Sequence, residues 1–180
     1  MNINEMELNG AFSIDPIIHS DERGRFFEGI NRMRLESVAG YDFNTVQINH
    51  SQSGHHILRG LHYQKENVQA KLVWVTCGEI YDVIVDLRRS SSTFGRWASI
   101  ILSADNKRRL LVPEGFAHGF LVLSENADIT YLTSDIFNPA GERTLRWNCA
   151  ELGIKWPTDN PVLNDRDANA PGFHECEKFA

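Results

Sequence analysis

Cysteine is scarce in this chain: Cys77, Cys149 and Cys176 are the only three in 180 residues. An odd number without metal-like spacing argues against a disulfide framework or a cysteine-built zinc site, and free thiols in a reducing cytoplasm are expected. Long apolar runs are also missing. No uncharged stretch approaches the roughly 20 residues that span a bilayer, so no membrane partner is expected. No Lys or Arg precedes Arg23, and Glu5 and Glu7 come early. A secretory or transit segment with a basic start is therefore not expected, and the expected location is cytoplasmic. A basic excess is absent as well: 18 Lys+Arg against 24 Asp+Glu leave a net charge of -6. That balance argues against nucleic acid as a partner but leaves room for a local cationic pocket. With 13 Gly and 6 Pro, the chain is neither low-complexity nor collagen-like.

What the chain has in quantity is short strand-like runs. Lys71–Thr76 and Glu79–Asp86 flank Cys77-Gly78 and read as two strands around a tight turn, with Asp82 and Asp86 breaking the second apolar run. Trp97–Leu102, Arg109–Val112, Phe120–Leu123 and Ala127–Leu132 continue the pattern. Helix is expected only at Arg32–Val38, around Lys107 and in a weak C-terminal piece. No repeat, linker or composition break divides residues 1–180, so one domain is expected. Helical segments between the strands, which a doubly wound sheet requires, are lacking. The predicted fold class is all-β, a jelly-roll barrel with a few short peripheral helices.

Three groups of residues carry chemical promise. In Arg59-Gly-Leu-His62-Tyr-Gln64, strand alternation puts Leu61 and Tyr63 on one face and Gly60, His62 and Gln64 on the other. Arg59 falls one position off that alternation. His55 and His56 sit in a Ser-Gly turn and read as exposed. In Pro113-Glu-Gly-Phe-Ala-His118, a turn delivers His118 near the start of a strand. The third group gathers Tyr131, Phe137 to Arg143 and Trp156-Pro157, each of which alone reads as strand aromatic, turn or apolar plug. A metal site needs convergent ligands, and His62 lacks a second His or an acidic residue at a suitable strand spacing. No metal is expected.

In combination these groups resemble the dTDP-4-dehydrorhamnose 3,5-epimerase family, nucleotide-sugar epimerases with a cupin-like jelly-roll barrel. The resemblance runs nearly end to end, through Asp21-Glu-Arg23-Gly-Arg-Phe26 with Glu28, Val46-Gln47-Ile-Asn49-His-Ser51, Arg59–Gln64, Lys71, Val85-Asp-Leu-Arg88, Pro113–Phe120, Tyr131, Glu142, and Leu152–Pro157. It implies His62 as general base supported by Asp167, and Tyr131 as general acid on the opposite face of the sugar. It implies that Arg23, Phe26, Glu28, Gln47, Asn49, Arg59, Lys71, His118, Phe137, Glu142 and Arg166 bind the nucleotide sugar. It further implies no cofactor and a homodimer whose N-terminal strands pack across the interface. Its members serve surface-polysaccharide or antibiotic deoxysugar synthesis.

The chain departs from the family pattern in three places. It reads Asn164-Asp-Arg166-Asp167 where Ser-x-Lys-Asp is usual, Phe137 where Tyr is frequent, and Cys149-Ala150 where Asp-Pro is usual.

The chemistry fits the residue types. A 4-keto group acidifies the protons on carbons 3 and 5, so inversion needs a base on one face and an acid on the other. His has an ordinary pKa of about 6.5, near working pH, and a carboxylate on its other nitrogen fixes the tautomer. A phenol is neutral and donates in a fixed direction. Lys71 is the candidate donor to the enolate oxygen, although a lysine starting a strand is also an ordinary snorkelling residue. The expected function is cofactor-independent 3,5-epimerisation of a dTDP-linked 4-keto-6-deoxyhexose. The alternatives are epimerisation at carbon 3 alone, a CDP- or GDP-linked sugar, and a non-catalytic or metal-binding barrel.

Overall fold

The structure, a computed structural model, describes residues 1–40 and 42–180. The N-terminal strands are β1 (Asn2–Glu5), β2 (Phe12–Asp15), β3 (Ile18–Asp21) and β4 (Gly24–Phe27), followed by helix α1 (Arg32–Ala39). The barrel strands are β5 (Gln47–Gly54), β6 (Leu58–Gln64), β7 (Lys71–Cys77), β8 (Glu79–Asp86), β9 (Trp97–Ser103), β10 (Arg109–Val112), β11 (Phe116–Val122) and β12 (Asn126–Thr133). A short β13 (Glu142–Thr144) and helix α2 (Asp165–Ala168) come last.

Two antiparallel sheets face each other. One has the order β1-β2-β10-β7-β12-β5 and the other β13-β6-β11-β8-β9, while β3 and β4 form a separate hairpin. Between the sheets lies an apolar core that includes Val73, Val75, Leu110 and Ile129 from the first and Ile80, Ile84, Phe116 and Phe120 from the second. The outer face of the second sheet is covered by the C-terminal segment, with Leu61, Tyr63, Val83 and Val85 packed on Leu145, Leu152, Trp156 and Phe173. Two clusters on opposite faces of one sheet are what period-2 alternation produces when both faces are covered.

The jelly-roll expectation holds, and all six of the strands read from sequence are present: two with the bounds read, three with one or two residues added and one displaced. β7 and β8 flank the tight turn read between them, with Gly78 at φ 76, and they enter opposite sheets. A Cβ on Gly78 would lie 2.1 Å from Asn126 O, so this corner admits only glycine. The region of Lys107 is a turn rather than a helix. Ser103 and Asn106 bond reciprocally at 3.0 and 3.1 Å, and Lys107 lies at φ 57, outside helical space. β11 begins at Phe116, four residues before the expected Phe120. Helix α1 forms where expected, with the Asn31 side chain accepting from Arg34 N and Gly40 closing the end at φ 62.

Candidate active site

The site is a cavity of about 280 Å³ at one end of the barrel, with His62, Gln64, Glu142, Gln47, Asn49, Lys71, Tyr131 and Phe137 among its lining residues. His62 reaches it because β6 alternates. Leu61 and Tyr63 are buried in the outer cluster, so the residue between them faces inward. Nε2 of His62 lies 2.7 Å from Oδ1 of Asp167, whose Oδ2 accepts the Gly60 N–H at 3.0 Å. Asp167 is delivered by α2, where Asn164 caps the helix by accepting Asp167 N at 2.7 Å. Burial pushes the Asp167 carboxyl up. The hydrogen bond and charge of His62, the Gly60 N–H and Arg166 outweigh it, and the group sits below its ordinary value. An ionised carboxylate only accepts, so Nε2 carries the proton and the other ring nitrogen keeps the lone pair a base needs.

Tyr131 and Lys71 stand on the other sheet. Tyr131 pairs with Asn49 of β5 and Val73 of β7, and Lys71 starts β7. Burial raises the Tyr131 pKa, with Arg59 lowering it and Glu142 raising it, so the phenol holds its proton. Burial draws Lys71 down to about 8, against the pull of Asp82 and Glu142. Its ammonium has no hydrogen-bond partner among the described residues.

Gln47 and Gln64 set the loop after β12. Gln47 accepts the Phe137 N–H at 3.0 Å and donates to Asn49 Oδ1 at 2.7 Å. Gln64 accepts the Asn138 N–H at 2.9 Å and donates to Ile136 O at 3.2 Å. These bonds put the Phe137 ring at the cavity mouth. Gln64 and Gln69 also line the cavity and are not among the site residues that the family resemblance implies. The shared face with His62 signals Gln64, and no local pattern signals Gln69.

Other expected site residues are placed differently. Arg166 does not line the cavity. It pairs with Glu142, and its Nη2 lies 3.0 Å from His62 Nε2. Both of those nitrogens are donors when Nε2 carries the proton, so this close approach is not a hydrogen bond.

Arg59 joins the inward face through a register shift. β6 spends three steps from Arg59 to His62 where β11 spends two from Phe120 to His118. The extra residue restores parity, and Arg59 Nε donates to Ser53 of the facing sheet at 2.9 Å. Gly60 and Gly119 permit this, since a Cβ on Gly60 would lie 2.6 Å from Gly119 Cα.

His118 faces inward but is buried against Asp82 and does not line the cavity. Arg23, Phe26 and Glu28 lie on or after the β3–β4 hairpin, outside the cavity of their own chain. Arg23 is paired with Asp21, Glu28 accepts from Asn31, and Phe26 is 74% exposed. His55 and His56 are exposed and stacked in their turn, as read. Among the described residues, no three His, Cys, Asp or Glu side chains are grouped as metal ligands.

Comparison with known proteins converges on one family. The family model described as dTDP-4-dehydrorhamnose 3,5-epimerase matches residues 5–175. The dTDP-4-dehydrorhamnose 3,5-epimerase of Shigella flexneri is 44% identical over 180 residues, covering 99% of each chain. A solved dTDP-6-deoxy-D-glucose-3,5-epimerase from Legionella pneumophila, in complex with dTDP-4-keto-L-rhamnose, superimposes with a TM-score of 0.90. It is 43% identical, over 94% of this chain and 90% of that one. A 3'-monoepimerase from Streptomyces bikiniensis in complex with dTDP-quinovose gives a TM-score of 0.87 at 38% identity, over 93% of this chain and 85% of that one. A fold, a catalytic-type cavity and end-to-end likeness agree: this chain belongs to the dTDP-4-dehydrorhamnose 3,5-epimerase family of isomerases.

Proposed function

We propose that the chain inverts carbons 3 and 5 of dTDP-4-dehydro-6-deoxyglucose, giving dTDP-4-dehydrorhamnose, with its own side chains as the only acid and base. The observation that carries this reading is the division of the site between two walls. His62, held by Asp167 of α2, belongs to the β6 sheet, and Tyr131 and Lys71 belong to the facing sheet. A sugar ring lying between the walls presents one face to the base and the other to the phenol.

The lone-pair nitrogen of His62 takes the proton from carbon 3 or 5. The C–H electron pair moves onto the ketone and makes an enolate, and Asp167 stabilises the imidazolium that forms. The Lys71 ammonium donates to the enolate oxygen. As the enolate collapses, the Tyr131 O–H gives its proton to the opposite face of the carbon; solvent then reprotonates the phenolate and takes the proton from the His62 imidazolium, so both groups are restored. No net oxidation occurs, so the step needs no redox cofactor.

The hairpin residues enter through a homodimer. Arg23 and Phe26 project from the β3–β4 hairpin, and Ile48 on the edge strand β5 is 66% exposed. An isologous pair that lays one copy's hairpin over the other's cavity would cover this apolar surface and bring a cation and an aromatic ring to the nucleotide. Free thiols at Cys77, Cys149 and Cys176 suit a cytoplasmic location.

Proton NMR in D2O with the dTDP-linked 4-keto-6-deoxyglucose tests the proposal. Deuterium is expected at carbons 3 and 5 with inversion at both, and His62→Asn is expected to abolish both. Unchanged exchange in His62→Asn would overturn the assignment of the base. Inversion confined to carbon 3 would instead support the single-epimerase reading that the Streptomyces bikiniensis relative favours.

A further inference from the structure

One buried carboxylate has no part in the proposed proton transfers. Asp82 is fully buried at 0% exposure, on the inner face of β8 between Ile80 and Ile84. Both its oxygens bond Nε2 of His118, at 2.9 and 3.0 Å. A carboxylate among aliphatic side chains is expensive, and buried pairs of this kind are often replaceable by apolar residues without loss of stability. Packing therefore gives no reason for an acid at this position.

The geometry leads to Lys71: His118 is the cross-strand neighbour of His62, and His62 shares the cavity with Lys71. Lys71 comes from the opposite sheet, lines the cavity, and makes no hydrogen bond to any described residue. We infer that Asp82, oriented by His118, is a positioning residue whose buried negative charge keeps Lys71 an ammonium where the enolate oxygen develops. This rests on the role proposed above for Lys71.

The groups facing Lys71 come from several strands. Asp82 of β8 and Glu142 of β13 are its counter-charges, and His62 of β6 and Tyr131 of β12 share its cavity. Burial draws Lys71 down to about 8, and Asp82 opposes that shift more than Glu142 does. Without the Asp82 charge, burial is less opposed and the amine loses its proton at lower pH. A neutral amine cannot neutralise an enolate.

Asp82→Asn and His118→Gln test the inference in the intact protein. Two quantities are measured in each. One is the titration of Lys71 by NMR after reductive 13C-methylation, its signal assigned by its loss in Lys71→Arg. The other is the alkaline limb of kcat/KM against pH. In Asp82→Asn the Lys71 midpoint is expected to fall by about one pH unit, with the limb following. His118→Gln keeps the carboxylate but removes the charge that opposes its burial, so its Lys71 midpoint is expected to fall by less than in Asp82→Asn.

An unchanged midpoint in folded Asp82→Asn overturns the inference, and so does a larger fall in His118→Gln than in Asp82→Asn. If Asp82→Asn does not fold, a His118→Gln midpoint equal to the wild-type value overturns it. A midpoint that falls while the limb stays in place supports the electrostatic role of Asp82 and counts against Lys71 acting in the chemistry.

Discussion

His62 on β6 and His118 on β11 are cross-strand neighbours, and each is held by an aspartate, yet the two pairs are built for different work. The His62 side chain is 22% exposed and opens on the cavity, whereas that of His118 is 8% exposed and closed into the core. Their carboxylates move in opposite directions. Burial pushes both up, but Asp167 also takes a backbone N–H and the charge of Arg166, and ends below its ordinary value. Asp82 has only His118 and Lys71 against complete burial, and ends above it. Residue identity is therefore a poor guide to role here. Access to the cavity and the number of donors on the carboxylate distinguish the pair proposed for proton transfer from the pair proposed to act electrostatically.

Converting each carboxylate to an amide sharpens that contrast most. Asp167→Asn removes the acceptor that selects the His62 tautomer, and turnover is expected to fall about 10²–10⁴-fold across the pH range. Asp82→Asn should lose activity mainly on the alkaline side. Equal losses at neutral pH, measured as kcat/KM, would erase the distinction. Lys71→Gln, which removes the proposed enolate donor, is expected to cost about 10²–10³-fold in kcat. A loss confined to KM would make Lys71 a binding residue only.

Stability should separate the pairs by sign. The depressed Asp167 carboxyl contributes stability that is present above its unfolded pKa of about 3.9 and is lost as pH falls through its folded value. Asp82 is the reverse: its contribution is present below about 3.9 and is lost as pH rises through its raised folded value. At pH 7, Asp167→Asn should lower the thermal midpoint and Asp82→Asn should leave it unchanged or raise it. Both differences should shrink in acid. Midpoints that move together in thermal melts from pH 3 to 8 would show that the two carboxylates sit in equivalent environments.

Much of this architecture could be read in the chain because both faces of the β6 sheet are covered. Alternation at Leu61, His62 and Tyr63 settles which way His62 points before any tertiary contact is considered. The β7–β8 corner was harder. A glycine that turns a chain between sheets looks like one that closes a hairpin, and only the crowding at Asn126 and Ala127 distinguishes them. Arg59 reads as out of phase because a register shift leaves no mark on residue spacing. Asp82 was visible as a break in an apolar run, but its meaning depends on Lys71 arriving from the other sheet. The N-terminal hairpin is legible in motif, yet it lies outside the cavity, and the contribution proposed for it rests on the proposed homodimer.

The proposed reaction needs a base and an acid on opposite walls, and Tyr131→Phe in D2O tests that placement most directly. With His62 intact and the phenol gone, proton NMR of the ketosugar should show deuterium entering at carbons 3 and 5 with the original configuration retained, and inversion lost or nearly so. Inverted product formed at the wild-type rate by Tyr131→Phe would contradict it.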